Sequence, residues 1–209
     1  NNAAISIGNV IGSNICNIAL ILGLSAMIRP LSIGSQVIRK EIPIMIAVTL
    51  LFIIFLSGGI NRLEGIIFLT ALIAYTVYGI IASKKEQKKI QEEFDEEIKK
   101  ERSVLLSSLF TVGGLALLIF GANLFVNGAV SAANSLGVSQ LVIGLTIVAV
   151  GTSLPELFTS VVASIKSKAD IAIGNIIGSN IFNILAIIGI TAVISPFETI
   201  NIGWIDLGI

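Results

Sequence analysis

The chain has 209 residues, 55% hydrophobic and only 12% charged, with no histidine and a formal net charge of zero. Soluble domains carry about a quarter charged residues, so this composition marks an integral membrane protein. The zero net charge is no argument for nucleic acid as a partner, the missing histidine excludes imidazole triads, metal centres and pH switches, and a lone cysteine, Cys16, excludes a disulfide framework and reads as a small packing residue.

The apolar runs are about twenty residues long and helical in period, as membrane-spanning helices require. In chain order they cover about 5–28, 42–60, 62–82, 103–127, 138–165 and 170–194, with a stub from about 199. Pro30 follows the first and Pro196 the sixth. Pro43 opens the second, where a proline is tolerated in the first helical turn, and Ser57-Gly58-Gly59 closes it. Between the third and fourth runs lies KKEQKKIQEEFDEEIKKER, from Lys84 to Arg102, nearly all charged. This stretch reads as a solvated linker; Ile90, Phe94 and Ile98 recur every fourth residue, which allows a short amphipathic helix. Of the 13 Lys and Arg residues, all but Arg62 fall in loops on one side. That bias puts the linker in the cytoplasm and Asn1 near the external face. The chain opens on Asn1 rather than methionine and closes at Ile209 just inside a new apolar run, so it reads as an internal piece of a longer protein.

One motif occurs twice. GNVIGSNICNI, Gly8 to Ile18, returns as GNIIGSNIFNI, Gly174 to Ile184, inside membrane-length apolar sequence. The copies sit on the first and sixth spans. Five spans is an odd displacement, so they cross the bilayer in opposite directions, and the chain is built on an inverted repeat. Its expected organisation is residues 1–82 as the remainder of one repeat (three helices), 83–102 as the cytoplasmic linker, and 103–209 as the second repeat (three helices and the start of a fourth). Symmetry then predicts a parent of roughly ten helices, two inverted five-helix units.

Within the copies, Asn9, Ser13 and Asn17 fall on one helical face, and Asn175, Ser179 and Asn183 on the matching face. Gly8, Gly12, Gly174 and Gly178 flank these stripes; they permit close backbone approach and a helix break that frees carbonyl oxygens. A single such copy would read as a small-residue packing motif. Two inverted copies point to a shared site. The second constellation is Gly151-Thr152-Ser153-Leu154-Pro155-Glu156. Pro155 cannot continue a helix arriving from upstream. Thr152 and Ser153 are capping residues for a new half-helix with Pro155 in its first turn. Glu156 is the only ionisable residue between Arg102 and Lys166, and a carboxylate at such depth is costly unless it meets a cation, a proton or a charged partner. Carboxylate, hydroxyl, amide and freed carbonyl oxygens together suit hard cations such as Ca²⁺ or Na⁺.

GTSLPELFTSVVAS followed by GNIIGSNIFNILAIIGI resembles a signature repeat of the cation/Ca²⁺ exchanger superfamily, most closely its prokaryotic sodium/calcium antiporter branch. GNVIGSNICNI resembles the second half of the other signature. The resemblance spans the whole chain in helix order and implies an all-α fold of two inverted five-helix units whose broken helices carry the motifs. It implies Glu156 as one of two central glutamates that hold Ca²⁺. It further implies carbonyl oxygens from Thr152 and Ala149, hydroxyls from Thr152 and Ser153, flanking Na⁺ sites at Ser13 and Ser179, and Asn17 and Asn183 at equivalent central positions. Animal-type exchangers and some archaeal ones carry aspartate where this chain has Asn183, which bears on stoichiometry and K⁺ dependence.

The expected function is therefore secondary antiport of Ca²⁺ against Na⁺ in a prokaryotic plasma membrane. No catalysis, no cofactor and no obligate protein partner are expected, only the two ions as substrates and lipid as surroundings. The alternatives are H⁺/Ca²⁺ antiport with Glu156 as proton carrier, an intramembrane serine hydrolase using Ser153 and Glu156, and a passive cation channel.

Overall fold

The computed structural model describes residues 2–35, 37–93, 104–138 and 143–196. All regular structure among them is helical apart from a single bridge residue at Ile60. Five helices are long and apolar enough to cross a membrane: Ser6–Ile28, Val37–Gly58, Arg62–Lys84, Leu105–Ser135 and Ala169–Ile194. A bent pair, Thr146–Thr152 with Leu154–Ile165, makes the fifth span in chain order, so that Ala169–Ile194 is the sixth. The stub expected from about 199, and Phe94 and Ile98 of the charged stretch, lie outside the described residues.

Several boundaries differ from the sequence reading for local reasons. The second span starts a turn earlier, with a π-helical segment, Val37–Glu41, leading into Ile42–Gly58; Pro43 sits in its α-helical first turn as expected. It ends where Gly59 takes φ 81°, a conformation that favours glycine. The third span is capped by Asn61, whose Oδ1 accepts from the N–H groups of Leu63 and Glu64 at 2.8 and 3.1 Å, while the Asn61 N–H donates to Glu64 Oε2 at 2.7 Å. This reciprocal box fixes a tight turn. The third helix does not stop with its apolar run; it continues unbroken from Arg62 to Glu93, well into the charged stretch. The fourth is also longer than its apolar run, Val104–Ser135, because Asn127-Gly128 does not break it. It stops where Gly137 takes φ 75° and the Val138 N–H turns back to the Ala133 carbonyl at 3.0 Å.

The motif glycines do not break the first and sixth spans, contrary to the expectation of freed carbonyls there. Asn2–Ile15 and Ala169–Phe182 are continuous α-helices. Each instead passes into a π-helical segment at the end of its motif, Cys16–Leu22 in one repeat and Asn183–Ile188 in the other. Widened turns of this kind are rare and often stand at functional sites. They occur at equivalent places in the two copies, so the repeat is one of backbone geometry as well as of sequence.

The sixth span is the most enclosed: Ile181, Ile184, Leu185 and Ile188 are fully buried, packed in one cluster with Ile7, Val10, Phe52, Leu56 and Phe68. Phe55 and Phe68 meet edge to face, centroids 5.5 Å apart, at the second–third interface. The fourth span is exposed along its length, including Leu109, Phe110, Leu117, Phe120 and Leu124. Such a surface suits hydrocarbon, not water.

Two close approaches position these spans. A Cβ on Gly65 would sit 3.0 Å from the Gly189 carbonyl and 3.0 Å from Ala192 Cβ, so only glycine lets the third span lie against the end of the sixth. A Cβ on Gly151 would overlap the Val126 side chain, so glycine also lets the fourth span touch the fifth just before its bend. Gly65→Ala should destabilise by about 1–3 kcal/mol through overpacking, read as a lower thermal midpoint in detergent. Gly79→Ala, on the same helix with nothing within 4 Å, should leave the midpoint unchanged or raise it. Gly151→Ala should lower the midpoint, and Val126→Ala in the same molecule should restore part of the loss; independent, additive effects of the two changes would show that the contact does not exist.

Candidate functional site

The fifth span supplies the break. Its first half ends at Thr152, and Ser153 leaves helical geometry at φ −92°, ψ 2°, its N–H turning back to the Val150 carbonyl at 3.1 Å. Pro155 has no N–H to offer the Gly151 carbonyl, so the helix restarts from Leu154 at 51° to the first half. The break expected from Gly151 and Pro155 is present at that position. The expected side-chain cap is not: Ser153 occupies the cap position without a capping hydrogen bond and is buried beside Cys16.

Two polar clusters flank the bend. In one, Ser13 Oγ and Thr152 Oγ1 lie 3.1 Å apart, and Thr152 Oγ1 is 3.0 Å from the Ala149 carbonyl and 3.5 Å from Asn9 Oδ1. Thr152 has a single proton; donating it to the Ala149 carbonyl leaves Ser13 to donate to Thr152. Gly12 stands behind this cluster, where an added Cβ would be 3.3 Å from Ala149 Cβ. In the other, Ser179 Oγ donates to Glu156 Oε1 at 3.4 Å, and Asn175 Nδ2 donates to the Glu156 carbonyl at 3.3 Å and to Ser160 Oγ at 3.0 Å. Glu156 Oε2 is buried without a hydrogen-bond partner. Glu156 lies in the first turn of the restarted helix, where the backbone dipole favours an anion.

A cavity of about 330 Å³ opens beside Glu156, lined by Gly174, Asn175, Gly178, Ser179, Phe182 and Asn183. A Cβ at Gly174 or Gly178 would meet nothing within 4 Å, so these glycines keep the cavity wall low rather than relieving a clash.

The two asparagine stripes meet indirectly. Asn17 Nδ2 donates to Asn180 Oδ1 at 2.9 Å, and Asn183 Nδ2 donates to Asn14 Oδ1 at 3.0 Å. The partners are crossed: lower numbers on the first span pair with higher numbers on the sixth, as antiparallel spans require. Asn14 and Asn180 are equivalent positions of the repeat, as are Asn17 and Asn183, so the two bonds are counterparts of each other. The sequence reading passed over Asn14, Asn180, Ser160 and Met45. The signal for the asparagines was present, since each is a repeated polar residue in an apolar run, but a stripe drawn at intervals of four leaves them off its face.

Among the described residues no group of three or more acidic, thiol or imidazole side chains gathers as a metal centre would. One carboxylate, hydroxyls and amides make the polar lining.

Comparison with known proteins places this geometry. The sodium/calcium exchanger protein family matches residues 1–81 and 106–207. The chain is 41% identical over 194 residues to a putative antiporter, CaxA, of Alkalimonas amylolytica, covering 91% of this chain and 61% of that protein. It is 37% identical over 199 residues to the inner membrane protein YrbG of Escherichia coli, covering 93% of this chain and 61% of that one. The solved structure of the sodium-calcium exchanger NCX_Mj, soaked with Na⁺ and Ca²⁺, superposes with a TM-score of 0.78 at 32% identity, covering 99% of this chain and 64% of that chain. The chain thus spans less than two thirds of the length of these relatives. A family match across both repeats, and a fold shared with a solved exchanger over nearly every residue, identify the chain as a member of the sodium/calcium exchanger family.

Proposed function

We propose that this chain forms the ion-binding part of a secondary antiporter that moves Ca²⁺ in exchange for Na⁺. The observation that carries the reading is Glu156: one carboxylate oxygen held by Ser179, the other buried and unpartnered, beside a cavity of about 330 Å³. A carboxylate buried in hydrocarbon needs a cation or a proton. Its neighbours offer oxygen, which suits hard ions. The comparisons support the choice of ions, since the structural relative is a sodium-calcium exchanger soaked with both.

Each side chain then has a role. Glu156 is the central anionic ligand, with Thr152, Ser153 and the Ala149 carbonyl at the bend as further oxygens. Ser13 and Ser179 flank it as Na⁺ ligands, and Asn17 and Asn183 bring carboxamide oxygens from the two repeats. The logic is competition. One divalent ion or several monovalent ions can neutralise the site, and an empty charged site is too costly to carry between access states, so exchange is obligatory. The lipid-exposed fourth span, which meets the fifth where Gly151 faces Val126, is suited to slide past the site and alternate access. The basic bias of the loops supports a cytoplasmic location for the charged stretch, and the inner-membrane relative supports a prokaryotic plasma membrane.

The test is Ca²⁺ uptake by the full-length protein in liposomes. Glu156→Gln keeps the size and removes the charge, and uptake should fall by more than the about 10–100-fold typical of a group that only supports a ligand. Retained uptake would remove Glu156 from the site. Separate gradients decide the counter-ion: an outward Na⁺ gradient should drive uptake and a pH gradient alone should not. Uptake driven by pH alone would make the protein an H⁺/Ca²⁺ antiporter, and uptake with neither gradient a passive channel.

A further inference from the structure

We infer that Asn14 and Asn180 are positioning residues, which orient the carboxamides of Asn183 and Asn17 so that both turn oxygen, not nitrogen, to the ion path. The inference rests on the antiport reading and deepens it.

A carboxamide is ambiguous as a cation ligand, because its oxygen attracts and its NH₂ repels. What orients it must be a partner that can only accept or only donate. Both amide pairs end on such a partner. Asn14 Nδ2 donates to the backbone carbonyl of Asn180 at 3.2 Å, and a carbonyl can only accept. The Asn14 oxygen therefore faces the other way, where it accepts from Asn183 Nδ2 at 3.0 Å. With its nitrogen so used, Asn183 has its oxygen left for the cavity that it lines with Glu156 and Ser179. On the other side, Asn180 Nδ2 lies 3.8 Å from Met45 Sδ, and a thioether also only accepts. The Asn180 oxygen then accepts from Asn17 Nδ2 at 2.9 Å. Asn17 is 1% exposed, and its oxygen is buried with no hydrogen-bond partner, an unusual state for a buried acceptor and one that a cation would relieve.

Asn14 and Asn180 themselves border a different, largely apolar cavity of about 220 Å³, together with Met45, Thr49, Phe52 and aliphatic side chains. Neither lines the cavity beside Glu156. They stand behind the proposed ligands, one on each repeat, each orienting the ligand of the opposite repeat.

Ca²⁺ uptake by the full-length protein under an outward Na⁺ gradient, measured for half-saturation and maximal rate, tests this. Asn14→Leu and Asn180→Leu should raise the half-saturating Ca²⁺ concentration about 10-fold or more, with a smaller effect on maximal rate. Met45→Leu, which keeps the volume and removes the acceptor, should move it the same way. Asn14→Asp separates orientation from packing. A protonated acid has one donor and one acceptor, like the carboxamide it replaces; an ionised one has acceptors only. Relative to the parent, Asn14→Asp should match at acidic pH and lose affinity as pH rises, while Asn14→Leu stays impaired throughout. Parental half-saturation in both leucine variants, or an Asn14→Asp profile flat relative to the parent, would overturn the inference. If the leucine variants do not purify as a single species, the Asn14→Asp profile and Met45→Leu decide. The parent and Glu156→Gln run beside them isolate the antiport reading: a parent inert to a Na⁺ gradient defeats that reading. In that case the thermal midpoint of Asn14→Asp relative to the parent still reports the amide polarity, falling with pH if the donor is needed and flat if it is not.

Discussion

Two amide–amide hydrogen bonds, Asn17 to Asn180 and Asn183 to Asn14, hold the first span against the sixth, and the remaining geometry follows from them. In hydrocarbon a carboxamide has no water to fall back on, and leaving one unmatched costs about 1–3 kcal/mol per group. A polar residue on one span therefore seeks a partner on another, and four asparagines at repeat-related positions pair in this way only when the two spans cross antiparallel in one register. That register carries Ser13 to Thr152 and brings Cys16 to Ser153, so the first repeat reaches the bend of the fifth span from one side. The same register leaves Ser179 and Asn175 to hold Glu156 from the other.

The bend is a local event with a tertiary consequence. Gly151 and Pro155 weaken the helix over a few residues, and the 51° turn that results places Glu156 in a helical first turn. Burying that carboxylate is expensive, yet the chain surrounds it with hydroxyls and amides rather than with a counter-charge from a basic side chain. The basic residues lie in the loops or at the ends of the membrane-length spans. Under the antiport reading, the counter-charge is the transported ion itself. The sixth span is packed in the buried cluster, while the fourth is exposed along its length.

The repeat is also visible as a difference between its copies. Asn180 gives its N–H group to a thioether from the second span, whereas the equivalent group of Asn14 is given to a backbone carbonyl. Each copy therefore anchors the same crossed bond on a different acceptor. Met45 has no role that a reading of polar motifs could have assigned to it.

Much of this was legible without coordinates. Membrane spans follow from composition because hydrocarbon admits only segments that satisfy their own backbone, and the inverted relation of Gly8–Ile18 to Gly174–Ile184 follows from counting spans. The bend at Ser153 was legible because proline and glycine act over one turn of chain, wherever the turn lies in space. Glu156 stood out because a lone charge in an apolar run has few physical explanations. What the tertiary structure alone decided concerns partners. It replaced the expected breaks at the motif glycines by π-helical segments at Cys16–Leu22 and Asn183–Ile188, left Ser153 at the cap position without a cap bond, and brought Asn14 and Asn180 behind the stripes rather than off them. The reason is range. Backbone propensity and hydrophobic period are properties of neighbours along the chain, whereas the direction in which an amide points is set by the acceptor it finds on another helix.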